Sequence, residues 1–564
     1  MDSWRTRGVR GIEIDRTQGS LLPCVLQHEA TGSDRLNARG ESLGTPTDYT
    51  DPVRARRRLS LVLAVALACA GCGAATVAPA SRANPAPSLR PDWLDQFARG
   101  YFPGRSGQVF LVPREGDFVV DRNPLYAFMH GSPWEYDTHV PLLFYGPPFI
   151  APGVFNERVS QQDVVPTLAA LLGTAPPATA IGHTLRQALA RTTARPKVVA
   201  MFVLDGTRAD YFDTYAAVLP TLARYRRAGA WFTNVHVTSV PTLTAVGHAN
   251  LGTGAEPRIH GLVVNNLFNR VTGKPQEAYH ELDPAEMMAL TLADVWNIET
   301  DGRAIVIGQG GAIRATAGLV GHGACMLNGR RVLAASYSPR DAGWETNPAC
   351  YTMSDALKPI NARRYWEEAG GRWMGHDISD GTTFRHSAVF QRFEGDALVA
   401  LLDGEPIGAD DITDLVLVNL KGPDYVGHAY GPASAEMKAE LTELDRQIAR
   451  ALAVIERKAG AGRFVVTFTA DHGMPGEPRA GGRHYMDDIS ALIDARFAAS
   501  GDSVVQYYKD AANNEIHLDT AKLGAHGFTL TDVASLLASQ GFFAAVYTED
   551  EVRAAQARLP LSAR

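Results

Sequence analysis

Three stretches decide the fold: Val198-Val-Ala-Met-Phe-Val-Leu204-Asp205-Gly206, Leu415-Val-Leu-Val-Asn-Leu420-Lys421-Gly-Pro-Asp424-Tyr-Val-Gly-His428, and Phe464-Val-Val-Thr-Phe-Thr-Ala470-Asp471-His472-Gly473. Each is a short, mostly apolar run that ends at, or within four residues of, an aspartate. Runs of this length without polar alternation predict strands buried on both faces, which belong to parallel sheets covered by helices. A fourth run, Ala304 to Gly308, has the same character. Residues 433–459 carry Met437, Leu441, Leu444, Ile448 and Leu452 at helical spacing, a long amphipathic helix between the second and third stretches. In parallel α/β sheets the ligand crevice lies beyond the carboxyl ends of the strands. Asp205, Asp424 with His428, and Asp471 with His472 would therefore converge on one point. Mixed carboxylate and imidazole donors are zinc-ligand chemistry, and Asp424 and His428 at i, i+4 share one helical face.

Outward from this centre, residues 108–113 and 140–145 read as strands. Asp163 to Gly173 reads as a short helix with Asp163 as N-cap, and Thr548 with Glu551 as a capping box opening a terminal helix. The 564 residues are 45% apolar and 20% charged with a net charge of −7, which excludes a disordered or strongly cationic chain. There is no nucleic-acid-binding signal. Arg54-Ala-Arg-Arg-Arg58, the apolar run Leu59 to Ala70 and Gly71-Cys72 have the layout of an export signal. Cys72 would be a lipid-anchored cysteine, with Cys69 or a plain secretory cleavage near Ala80 as alternatives. The mature protein is then expected outside the cytoplasm, in the periplasm or on the outer surface. Residues 1–52 are expected to be an unstructured or mis-started leader, with Val53 as an alternative initiator, and residues 53–80 the signal or lipoprotein segment. Cys325 and Cys350 are the only cysteines beyond it, and export predicts a disulfide between them rather than two buried thiols.

The chain resembles the alkaline phosphatase superfamily, most closely its type I phosphodiesterase/nucleotide pyrophosphatase branch. The resemblance rests on Val203-Leu-Asp205-Gly-Thr-Arg-Ala-Asp210, Pro241-Thr-Leu-Thr244-Ala-Val-Gly-His248, Thr253 to Gly261 with Asn265, Asp424-Tyr-Val-Gly-His428, and Asp471-His-Gly-Met474. It implies a single large α/β catalytic domain, an alkaline-phosphatase-like parallel-rich central sheet flanked by helices. It also implies two Zn2+ ions and a hydroxyl nucleophile. By motif, Asp205, Asp471, His472 and Thr244 would hold one zinc, and Asp424 and His428 would begin the other. The family pattern selects Thr244 over Thr242 as nucleophile. It gives Asn265 the role of donating to a phosphoryl oxygen, against an Asx-turn role.

The last histidine of the second zinc is out of place. In the family it comes late, in a His-Gly step before a strand and a Pro-Thr-Leu helix. Here that pattern stands in front, as Met129-His130-Gly131 followed by Val140-Pro-Leu-Leu-Phe-Tyr145 and Asp163 to Gly173. Residues 81–192 therefore resemble a C-terminal piece of the catalytic domain moved ahead of its main part at 196–560, a circular permutation. His130 is the expected ligand, His139 a structural residue and His484 the reserve. The arrangement requires the Val140–Tyr145 strand to join the main sheet, and residues near Arg90 to lie by Pro560.

The resemblance implies a small-molecule phosphate ester or nucleotide as substrate. Monoesterases of the closest threonine-dependent branch carry a Lys-x-Arg pair after a strand. The corresponding Ile307 to Thr316 has Arg314 but no lysine. The missing charge favours phosphodiester or pyrophosphate substrates, with alkaline phosphomonoesterase as the alternative. A second alternative is a binding lipoprotein that keeps the fold without turnover.

Overall fold

The computed structural model describes residues 91–327, 332–509 and 514–560. The leader, the export segment and Cys72 lie outside them. A nine-stranded sheet forms the centre, in the order Gly343–Glu345, Val332–Ser338, Val306–Gly310, Asp414–Leu420, Val198–Leu204, Phe464–Thr469, Leu142–Tyr145, Ala230–Phe232, Gly153–Phe155. The five strands from Val332–Ser338 to Phe464–Thr469 pair in parallel. Leu142–Tyr145 joins antiparallel to Phe464–Thr469, with Leu142 opposite Thr469.

Side chains alternate across the Val198–Leu204 strand, and both faces are buried. Val199, Met201 and Val203 enter one core with Phe144, Leu251 and Val320. Val198, Ala200, Phe202 and Leu204 enter another with Leu398, Leu441 and Ile448. This double covering is why the run is apolar at every position. The long helix spans Ala435–Ala459, with the Ser434 hydroxyl accepting from Met437 N, and buries all five predicted apolar positions. Burial of each such side chain contributes roughly 2 kcal/mol.

A second, four-stranded sheet has the order Val505–Tyr507, Glu515–Leu518, Val109–Pro113, Phe543–Thr548. The first strand of the described chain thus lies between two of the last. The Pro91–Gly100 helix packs on the terminal helix Glu549–Gln556, and Gln556 Nε2 donates to the carbonyls of Ala98 and Tyr101, both at 2.8 Å. Arg258 also donates to Pro560 O.

The Thr548–Glu551 capping box is present. Asp163 does not cap the Val164–Leu172 helix as expected. It has helical backbone angles, and its carboxylate accepts from Ser160 N and His183 N, closing a preceding 3-10 turn at Gln161–Asp163. The turn takes the carboxylate before the helix can. Cys325 and Cys350 are disulfide-bonded, with Cα atoms 4.5 Å apart. Among the described residues no helix is long and apolar enough to cross a membrane.

Candidate metal centre and active site

The carboxyl ends of three neighbouring parallel strands supply the centre. Asp205 directly follows Val198–Leu204, and Asp471 and His472 follow Phe464–Thr469 just beyond Ala470. Lys421, then the helix Gly422–Tyr430 carrying Asp424 and His428, follows Asp414–Leu420. Gly206 turns the chain at φ +66°, and a Cβ there would lie 2.9 Å from the Asp424 Cα, so glycine lets the two strand ends close on each other. Thr244 opens the helix Thr244–Thr253. That helix reaches the sheet because Gly247 has no side chain, since a Cβ there would stand 2.5 Å from the Asp471 carbonyl oxygen.

Two groups of donors surround this point. In the first, His130 Nε2 and His428 Nε2 each lie 3.4 Å from Asp424 Oδ1. Both rings are oriented from behind: His130 Nδ1 is 2.7 Å from Thr242 O and His428 Nδ1 is 2.8 Å from Phe128 O. A proton on Nδ1 leaves Nε2 to face Asp424, the usual way a ligating imidazole is fixed. In the second, His472 Nε2 lies 3.2 Å from Asp471 Oδ2, 3.6 Å from Asp205 Oδ1 and 3.5 Å from Thr244 Oγ1. Asp424 Oδ1 and Asp471 Oδ2 are buried without a hydrogen-bond partner. One such oxygen in each group, facing imidazole nitrogens, is the arrangement that a bound cation completes. Burial, with His130 next, pushes His472 well below its ordinary range. Burial alone would raise Asp424, but Lys421 and His428 outweigh it and hold the carboxyl well below the usual value. Asp205 goes the other way, pushed up by burial and by the Asp471 carboxylate.

His248 also approaches Asp205 and Asp471, but both its nitrogens are engaged. Nδ1 is 2.9 Å from Thr244 O, and Nε2 is 3.0 Å from the Asn419 amide nitrogen. It braces the Thr244–Thr253 helix, and its remaining nitrogen is taken up by Asn419. Thr242 Oγ1 donates to Ser132 O and is buried. His139 stacks on His236 beside Thr233 O, and His484 stacks on Phe542 near Asp117. Neither enters the centre.

A cavity of about 260 Å³ opens onto Thr244, His130 and His428, and its walls include Asn265, Glu277, Arg314 and Tyr126. Asn265 lines the cavity, and its Oδ1 accepts from Ala245 N at 2.9 Å, which leaves the amide NH2 as the side chain's donor group. Arg314 reaches the cavity, tied to Glu277 by a 2.8 Å ion pair. Sequence reasoning missed Lys421, which is fully buried with its ammonium at the centre. A lysine directly after a strand is ordinary in sequence, so no local signal marks it as buried. Burial alone would lower its pKa, but Asp205 and Asp424 outweigh it and raise it.

The family described as type I phosphodiesterase / nucleotide pyrophosphatase matches residues 199–560, most of the chain and all of the centre except His130. The chain belongs to that family. Alkaline phosphatase PafA of Elizabethkingia meningoseptica is 29% identical over 327 residues, 50% of this chain and 60% of that protein. Alkaline phosphatase PhoV of Synechococcus elongatus is 25% identical over 386 residues, 58% of this chain and 69% of that protein. The match thus spans less than two thirds of PafA. The crystal structure of wild-type PafA superposes with a TM-score of 0.51 at 22% identity, covering 62% of this chain and 77% of that chain. That superposition shows the shared fold, a mostly parallel sheet flanked by helices.

Proposed function

We propose that this chain is an exported two-zinc hydrolase of phosphoric esters, with Thr244 as nucleophile. The observation that carries the reading is the pair of unpartnered carboxylate oxygens, Asp424 Oδ1 and Asp471 Oδ2, each facing imidazole nitrogens, with the Thr244 hydroxyl 3.5 Å from His472 Nε2. Asp424, His428 and His130 would hold one zinc, and Asp205, Asp471, His472 and Thr244 the other. When bound, the two ions neutralise charge on the attacking and leaving oxygens. Asn265 donates its amide to a non-bridging phosphoryl oxygen. The Thr244 hydroxyl proton passes to solvent, its oxygen forms a bond to phosphorus, and the bond to the leaving alcohol breaks. Water then displaces Thr244 from the phosphothreonine, and the proton returns to the threonine oxygen. Each displacement is in line.

The first reading of the substrate is a phosphodiester or pyrophosphate, because Arg314 is already neutralised by Glu277. The family name supports it. The second reading, a phosphomonoesterase, is favoured by the Lys421 ammonium beside the nucleophile and by the name of the PafA relative. The non-catalytic reading has no use for seven converging site residues. The segment order is read as a circular permutation: the family match begins at 199, while residues ahead of it contribute His130, two strands of the central sheet and one of the four-stranded sheet. Export through residues 53–80, with Cys72 as a lipid anchor, completes the reading. Zinc content and hydrolysis of bis(p-nitrophenyl) phosphate against p-nitrophenyl phosphate test it. Turnover with bound zinc is expected; no zinc and no turnover would leave a binding protein.

A further inference from the structure

Lys421 has no part in the ligand set just described, yet its ammonium meets three of that set's side chains. Its Nζ lies 2.7 Å from Asp205 Oδ1, 2.7 Å from Asp424 Oδ2 and 2.8 Å from Thr244 Oγ1. An ammonium has three hydrogens, and here three acceptors meet it, so its position is fixed. The carboxylate oxygens it uses are not the two that lack partners. Asp424 turns Oδ2 to the lysine and Oδ1 to His130 and His428, while Asp471 Oδ2 faces His472. The lysine therefore leaves Asp424 Oδ1 and Asp471 Oδ2 open, while it shares Asp205 Oδ1 with His472 and bonds the Thr244 hydroxyl. Its backbone is also held, with Lys421 N donating to both Glu394 carboxylate oxygens at 3.2–3.3 Å. It comes close to the 307–316 stretch that lacks a lysine, since a Cβ at Gly311 would lie 2.6 Å from the Lys421 Cβ.

We infer that Lys421 is a further catalytic residue, one that hydrogen-bonds the attacking Thr244 oxygen and adds a fixed positive charge beside the phosphoryl group, favouring dianionic over monoanionic phosphate. The inference rests on Thr244 being the attacking group. Lys421 keeps all its protons throughout: it is a donor to the threonine oxygen, stabilising the negative charge there as the bond to phosphorus forms, and takes no proton from it. A monoester dianion carries one more charge than a diester, so loss of the ammonium weakens the former more.

The test uses the zinc-loaded full chain with Lys421→Met and Lys421→Gln. The expected result is a loss in kcat/KM of roughly 100-fold on p-nitrophenyl phosphate and at most roughly tenfold on bis(p-nitrophenyl) phosphate. Calorimetry should show weakened binding of inorganic phosphate, with zinc content unchanged by mass spectrometry. Equal losses on both esters with unaltered phosphate affinity, or loss of zinc, would overturn the inference and make Lys421 only a counter-ion of the carboxylates. If neither variant folds, the wild-type protein decides. Inorganic phosphate must bind at least roughly tenfold more tightly than dimethyl phosphate, and equal affinities would refute the role. A wild-type protein that binds phosphate but hydrolyses neither ester would sink the proposed function while leaving the Lys421 binding comparison intact.

Discussion

Replacing His130 by alanine is the sharpest probe of the centre, because it separates a ligand from a passenger. The side chain is buried, stacks on His472 with ring centroids 3.6 Å apart, and turns Nε2 to Asp424 with Nδ1 held by Thr242 O. Its removal leaves Asp424 and His428 as a two-donor site. Disturbing groups that merely orient a metal ligand typically costs 10–100-fold in affinity, so losing the ligand itself should cost at least about 100-fold, or ~2.7 kcal/mol. The other donors, Asp205, Asp471, His472 and Thr244, remain. Chelator competition on His130→Ala should therefore resolve into two steps, one ion leaving at far lower chelator concentration than in the wild type and the other near its original midpoint. His139→Ala and His484→Ala should both titrate like the wild type, since neither ring enters the centre. A His130 variant that retains both ions at wild-type affinity, or a His484 variant that loses one, would refute the ligand assignment.

Thr244→Ala should abolish turnover while most of the zinc stays bound, whereas Thr242→Ala should keep substantial activity, because its hydroxyl only meets Ser132 O; steady-state kinetics with metal analysis checks both. Asn265→Ala should lower kcat/KM by roughly tenfold to 100-fold through loss of one donor to the phosphoryl oxygen and one brace on Ala245, measured on both ester classes. Reducing the Cys325–Cys350 disulfide should lower stability by about 3 kcal/mol on loop-entropy grounds, read as a fall in the denaturation midpoint. Burial raises the Glu515 carboxyl from 4.5 to about 8, so the folded state holds a proton that the unfolded chain releases between those values. Stability should then fall as pH rises through that window, and Glu515→Gln should exceed the wild type at pH 9 by on the order of 4 kcal/mol while matching it near pH 4, in denaturant melts at each pH.

Much of the centre was legible because strand ends are. Each of Asp205, Asp424 and Asp471 follows a run so uniformly apolar that only a sheet covered on both faces can accept it, and the termini of neighbouring parallel strands meet by geometry. His428 follows from helical spacing alone. His130 needed the likeness to a family whose order it breaks, since nothing local links it to Asp424. Lys421 and Glu277 were illegible for a different reason. A lysine after a strand and a glutamate in a hairpin are ordinary surface residues in sequence, and only the closing of distant segments buries one and pairs the other. The Asp163 misreading is of the same kind, since a carboxylate before an apolar run fits an N-cap or a capping-box partner equally well.

The position of residues 91–192 carries a physical lesson about chain order. A strand is held by the hydrogen bonds of its neighbours, and those bonds do not record which strand was made first. Val109–Pro113 pairs antiparallel with both Glu515–Leu518 and Phe543–Thr548, and Leu142–Tyr145 pairs with Phe464–Thr469, so segments from opposite ends of the described chain share two sheets. The Pro91–Gly100 helix lies on Glu549–Gln556, close enough for Gln556 to bond two of its carbonyl oxygens or those just beyond. Termini that meet in this way can be joined and the chain opened elsewhere at modest cost in native contacts. On the proposed permutation the cost falls on loop closure, because His130 and Asp424 stand 424 − 130 = 294 residues apart. That entropy grows only logarithmically, by about 0.6 kcal/mol for each doubling of length, so His130 can stand beside Asp424 across so long a loop.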